Sequence, residues 1–115
     1  MSKKTKHRNQ EKRLNLCGIH LRNIRSERNM KLADIQAALE TDYGIVLDRT
    51  NLGRIENGER AVTDIELAIL AHLLEVPIER LLWGETPPDA SKVGEVLKQV
   101  KVRYATRRPR QREDT

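Results

Sequence analysis

Apolar residues recur along this chain at helical spacing, separated by short polar breaks, and the pattern predicts helices from end to end. Leu14, Cys17, Leu21 and Ile24 share one face of a first helix that ends near Arg28–Asn29, where Asn can close it. Leu32, Ile35 and Leu39 repeat the period, giving a second helix from Leu32 to about Asp42, with Gly44 as its stop. Ile45-Val46-Leu47 has strand propensity, but three residues without a partner do not make a sheet. This run is read as an extended connection that tucks one or two side chains into the core. Asp48 then caps a third helix and Asn57-Gly58 closes it, with Leu52 and Ile55 facing inward.

Thr63-Asp64-Ile65-Glu66 has the form of a capping box and opens a fourth helix. Its expected buried face is Ile65, Leu67, Ala68, Ile69, Ala71, His72 and Leu73 or Leu74. Val76-Pro77 separates it from a fifth helix carrying Ile78, Leu81, Leu82 and Trp83, closed by Gly84. Pro87-Pro88 reads as a linker. Beyond it Val93, Val96, Leu97, Val100 and Tyr104 mark one face of a last helix over about 91–104. No alternating stretch of useful length and no internal repeat interrupts this pattern. The class is all-α.

Domain organisation follows from the same pattern. Residues 1–13 have no apolar residue after Met1, bury nothing and are expected to be a disordered basic arm. Residues 14–85 form the folded domain, 86–90 a linker, 91–104 a helix for dimerisation or packing, and 105–115 a basic tail. With no Phe, one Trp and two Tyr, the core has to be aliphatic. The net charge of +5 hides a division. Residues 1–16 hold six basic groups against one acidic, and 98–115 hold seven against two. The middle, 17–97, holds nine against fourteen. Basic ends on an acidic middle suit a polyanionic partner, although such runs also serve only to solvate chain ends. No apolar run approaches the roughly 20 residues of a membrane span. The single Cys17 excludes an internal disulfide and fits a reducing compartment, so a cytoplasmic location is expected.

The third helix is the stretch that needs a reason to exist. An isolated helix of about eight residues is unstable in water, so the fold must hold it for the sake of its outward side chains. Those are Arg49, Thr50, Asn51 and Arg54, donors and acceptors suited to base edges and phosphates.

Several segments in register resemble the Cro and phage-repressor type of helix-turn-helix DNA-binding domain. They are Cys17-Gly18, Leu21-x-x-Ile24-Arg25, the pair Ile35 and Leu39, Leu52-Gly-Arg-Ile55-Glu56-Asn-Gly58, and Leu74-x-Val76-Pro77-x-x-x-Leu81-Leu82. The resemblance covers about Cys17 to Gly84 and neither tail. It implies a five-helix repressor-like domain followed by the C-terminal amphipathic helix, and an ion pair between Arg25 and Glu56. It also implies that the helix from Arg49 enters a major groove. Arg49, Thr50, Asn51 and Arg54 would then touch bases, and Lys31, Asn57 and Arg60 phosphates. For each base-contacting residue the alternative is a phosphate contact or simple solvation. The chain departs from the family pattern in three places. The connection Glu40–Leu47 is longer by about six residues, Lys31-Leu32 replaces a polar pair at the start of helix two, and Gln36 stands where a small residue is usual.

The resemblance implies a transcriptional regulator, repressor-like and bacterial or phage-encoded, acting on double-stranded DNA. The apolar stripe of 91–104 has to be covered, either by folding back on its own domain or by pairing across a two-fold axis; a homodimer on a palindromic operator is the preferred reading. The alternative function is an antitoxin-like module that binds a protein partner through its C-terminal region and keeps DNA binding secondary. Nothing suggests an enzyme. His7, His20 and His72 lack metal-ligand spacing, Cys17 reads as a core residue rather than an oxidation sensor, and no catalytic arrangement or cofactor loop is present.

Overall fold

The ends of the helices are written by local chemistry that the structure makes explicit. A computed structural model describes residues 12–100, and within them six helices follow one another with no strand. These are α1 (Cys17–Glu27), α2 (Leu32–Tyr43), α3 (Arg49–Glu56), α4 (Asp64–Leu74), α5 (Ile78–Trp83) and α6 (Ala90–Leu97). Asn29 takes a left-handed conformation (φ 55°) just after α1, a conformation Asn tolerates better than most residues. At the start of α4, Thr63 Oγ1 accepts from the Glu66 amide at 3.1 Å and the Glu66 carboxylate accepts from the Thr63 amide at 3.1 Å. Two donors that a helix start leaves unpaired are satisfied at once. Lys31 manages only half of such an arrangement. Its amide donates to Asp34 Oδ2 at 2.7 Å, and an ammonium has no lone pair with which to reciprocate.

The core is aliphatic. Leu21 and Ile24 of α1, Ile35 and Leu39 of α2, Leu52 and Ile55 of α3, Leu70 and Leu74 of α4 and Leu81 of α5 are all fully buried. Helix α1 packs against α3 and α5, α2 against α3 and α4, and α4 against α5. The approach of α1 to α3 is close enough to require glycine. A side-chain carbon on Gly18 would sit 2.0 Å from the Ile55 carbonyl oxygen.

Four sequence expectations need correction. First, the buried face of α4 is Leu70, Ala71 and Leu74, whereas Ile65 is 68% exposed and Ala68 and His72 face outward. This helix is apolar on nearly every side, so periodicity alone could not choose the face. Second, α1 begins at Cys17 rather than Leu14, because Asn15 Oδ1 accepts from the Gly18 amide at 2.7 Å and starts the helix there. Third, α6 ends at Leu97, followed by one turn to Val100; the expected continuation over 101–104 lies outside the described residues. Fourth, Arg13 belongs to the fold rather than to a disordered arm. It forms an isolated parallel bridge with Val100, donating its amide to Gln99 O at 3.3 Å, while the Leu14 amide donates to Gly58 O at 2.8 Å. The rest of the expected arm, 1–11, lies outside the described residues.

The connection between α2 and α3 runs extended from Ile45 after Gly44, with Leu47 buried, Ile45 half-buried and Val46 79% exposed. Just before it, Tyr43 and His72 meet with Tyr43 Oη 2.7 Å from His72 Nδ1, joining the end of α2 to α4. Among the described residues no helix is long and apolar enough to cross a membrane.

Burial ranks the consequences of substitution. Leu52→Ala should lower the unfolding free energy by about 2–5 kcal/mol, through lost transfer energy and a residual cavity. Ile65→Ser should stay within about 0.5 kcal/mol of the parent, because that side chain is already in water. Urea denaturation followed by circular dichroism ranks the two.

Candidate nucleic-acid interface

Helix α3 is fixed at both ends, and the two ends are fixed differently. At its start Asp48 Oδ1 accepts from the Asn51 amide at 2.9 Å, a cap written within the helix's own segment. At its end Glu56 lies 2% exposed, and α1 reaches across to hold it. Arg25 Nε donates to Glu56 Oε2 at 2.7 Å and Arg25 NH2 to Oε1 at 2.9 Å, a two-bond fork that fixes the plane of the carboxylate. The remaining Arg25 nitrogen donates to Met30 O at 2.9 Å, so this guanidinium also ties the α1–α2 turn. Arg22 adds a longer contact to Glu56 Oε1 at 3.4 Å and donates to Asn57 Oδ1 at 2.7 Å.

The last carbonyls of α3 are met from below. Arg13 NH2 donates to Glu56 O at 2.7 Å, and Asn15 Nδ2 donates to Ile55 O at 3.0 Å and to Arg60 O at 2.8 Å. A cation against carbonyls at a helix C-terminus also meets the negative end of the helix dipole. The Arg13 side chain runs over Gly58 so closely that a side-chain carbon there would come within 2.8 Å of Arg13 Cγ. Gly58 is also left-handed (φ 79°), which gives it a second reason to be glycine.

With one face of α3 buried and both ends tied, the other face is set. Arg49, Thr50 and Arg54 are exposed and Asn51 is half-buried. These are the side chains that the resemblance implies would touch bases; the fold exposes three of them and leaves Asn51 half-buried. Lys31 is exposed at the start of α2. Asn57 is exposed too, but its oxygen is engaged by Arg22. Arg60 differs from the other residues assigned to phosphates. Its two terminal nitrogens donate to Glu66 Oε1 and Oε2 at 3.0 and 3.1 Å, so a phosphate there competes with an intramolecular carboxylate. That bond also holds the Glu66 carboxyl below its ordinary value of 4.5. The stability it lends is therefore present above that range and lost as pH falls through the lowered value.

Three residues of this assembly are not marked out by the sequence pattern. Arg22 carries a usable signal, since it stands three residues before Arg25 on the same helix flank and can reach the same carboxylate. Arg13 and Asn15 carry none, because they lie in a polar run without periodicity. Leu32 and Gly53 meet where α2 crosses α3: a carbon on Gly53 would sit 3.8 Å from Leu32 Cδ1, an ordinary contact. Gln36 is half-buried. Among the described residues no group of three His, Cys, Asp or Glu side chains is gathered as a metal ion would require. In comparisons with protein-family models, curated proteins and solved structures, the chain matches none.

Two measurements test the site's framework. Breaking a buried pair leaves a charge without its partner, so Arg25→Ala should cost about 3–5 kcal/mol of stability. A loss under about 1 kcal/mol, the range of exposed pairs, would show that Glu56 does not depend on Arg25. Cys17 lies in the core, and burial pushes its thiol from 9.0 up to about 11. Its neutral form is favoured in the fold, so the associated stability is complete below about pH 9 and declines as pH rises towards 11. Iodoacetamide at pH 8 should therefore label the folded protein far more slowly than the urea-unfolded chain.

Proposed function

We propose that the chain is a sequence-specific double-stranded-DNA-binding regulator of the Cro and phage-repressor type, with α2 and α3 as its helix-turn-helix pair. One observation carries this reading. A helix of eight residues, too short to persist alone, is held at both ends and along one face, and what it presents outward is Arg49, Thr50 and Arg54. These side chains carry the hydrogen-bonding groups that distinguish bases in a major groove. Arginine can grip a guanine with two bonds, and the threonine methyl can meet a thymine. Asn51, half-buried, reaches an adenine only at the edge of that surface. Lys31 and Asn57 flank the helix and take phosphates, and Arg60 joins them only by releasing Glu66.

Charge distribution supports the same orientation. Residues 22–60 balance seven basic against seven acidic groups, whereas 61–97 carry two against seven, so the later helices are the side that turns away from a polyanion. The connection Gly44–Asp48 sets the angle of α3 to α2 in this chain, and its length makes the docking pose its own rather than a copy of the family's. A homodimer on a palindromic operator belongs to the proposal. Leu97 of α6, 45% exposed, is the apolar side chain that this helix leaves for a second copy.

The test is a selection from random duplexes at two salt concentrations. A defined motif should emerge. Arg49→Ala should relax preference at one position at a cost of about 1–3 kcal/mol, while Lys31→Ala should weaken all sites alike and reduce the salt slope by about 1. Binding that is steep in salt but blind to sequence would favour the partner-binding module instead.

A further inference from the structure

Between α1, α5 and α6 lies a cleft of about 200 Å³, lined largely by apolar side chains with the Arg13 guanidinium among them. Leu16, Ile19, Leu82, Trp83 and Val96 line it. Arg13 and His20 line it as well, and among the described residues no carboxylate does. The wider groove on the other side of His20 and Trp83, about 600 Å³, is different in kind. Its cation, Arg80, already has Glu85 at 3.5 Å and Glu27 at 3.7 Å. Arg13 has no such partner among the described residues. Its NH2 donates to backbone carbonyls, and its Nε is buried with no partner among the described residues.

A half-buried guanidinium matched only by carbonyls at a helix end has partial negative charge beside it but no carboxylate among the described residues. Its acidity reflects this: burial foremost, then the neighbouring Arg22, pulls Arg13 below its ordinary value. His20 is likewise pulled down, by burial and then by Arg80 and Arg13. It therefore stands in the cleft as a neutral hydrogen-bonding ring at neutral pH, and the unmatched charge is that of Arg13.

We propose that this cleft is a binding site for a small amphipathic monocarboxylate, its carboxylate at Arg13 and its apolar body among Leu16, Ile19, Leu82, Trp83 and Val96. The size fits. A dry cavity of about 150 Å³ accepts a benzene ring, so 200 Å³ accommodates one ring or a short alkyl chain with an acid group. The position gives the site a consequence. Arg13 and Asn15 line the cleft and also bond the last carbonyls of α3, so an occupant acts on the two side chains that finish the proposed recognition helix. That consequence rests on the DNA-binding reading; the site itself does not.

Trp83 is the chain's only tryptophan and borders both the cleft and the wider groove, so its fluorescence reports a ligand at either, on the full chain and without DNA, and Val96→Phe tells the two apart. Failure of the DNA-binding reading would show separately, in the duplex selection. Titration with 3-phenylpropanoate should give a saturable change in emission. The corresponding primary amide, equal in shape but uncharged, should bind at least about tenfold more weakly. Arg13→Gln should erase the advantage of the acid, and Val96→Phe, which fills the cleft from α6 and spares the α3 contacts, should abolish binding of both. Equal affinity for acid and amide would overturn the proposal. So would unchanged binding by Val96→Phe, or the absence of saturation at millimolar acid.

Discussion

The carboxylate of Glu56 is the constraint on which the rest of this structure turns. It sits in the core boundary where an unpaired charge is intolerable, so α1 must come close enough for Arg25 to grip it with two bonds. That approach in turn demands Gly18, because a side chain there would strike the Ile55 carbonyl. The pair is a poor source of net stability, since removing two charges from water costs about as much as their attraction returns. What it does supply is rotation. A planar fork accepts the carboxylate in one plane, and Leu52 and Ile55 lie on the same helix, so the azimuth of α3 is fixed and with it the choice of side chains that meet solvent.

The two ends of α3 divide the labour. Its start is self-contained, with Asp48 capping the first turn from within the segment. Its end is a meeting place for distant parts of the chain: Arg25 and Arg22 from α1, Asn15 from the approach to α1, and Arg13 from before it. A helix too short for its own stability therefore borrows order from residues more than thirty positions away. The side chains proposed to read bases are the ones left out of these arrangements.

Much of this is legible in the sequence because the relevant signals are local. Asp48, Gly44, Thr63 with Glu66, and Asn57-Gly58 mark helix ends through hydrogen bonds within a few residues, and those ends stand where the signals put them. The spacing of Leu21 and Ile24, or of Ile35 and Leu39, picks a face because polar residues fill the other. Where polar residues are lacking, as in α4, the pattern cannot choose. It names Ile65 and His72 and passes over Leu70. Arg13 and Asn15 are illegible for a different reason. Their partners are backbone carbonyls of another helix, and a carbonyl leaves no trace in the identity of the residue that bears it. The cleft is hidden likewise, since residues 13–20 meet α5 and α6 there from more than sixty positions away.

The bridge between Arg13 and Val100 joins the two ends of the described chain into a single large loop. Contacts of such separation are made only after the segments between them are in place, and they hold by little more than one strand-like pairing. Helix α6, which this bridge tethers, has no fully buried residue. By the same balance this is the part of the fold that opens first, in fluctuations far smaller than unfolding. Each such opening lifts Val96 and Val100 from the side of Arg13. For the proposed ligand this means that the α6 side of the cleft is the wall that yields most easily, and that an occupant touching Val96 and Arg13 together would tether α6 more firmly than the bridge alone.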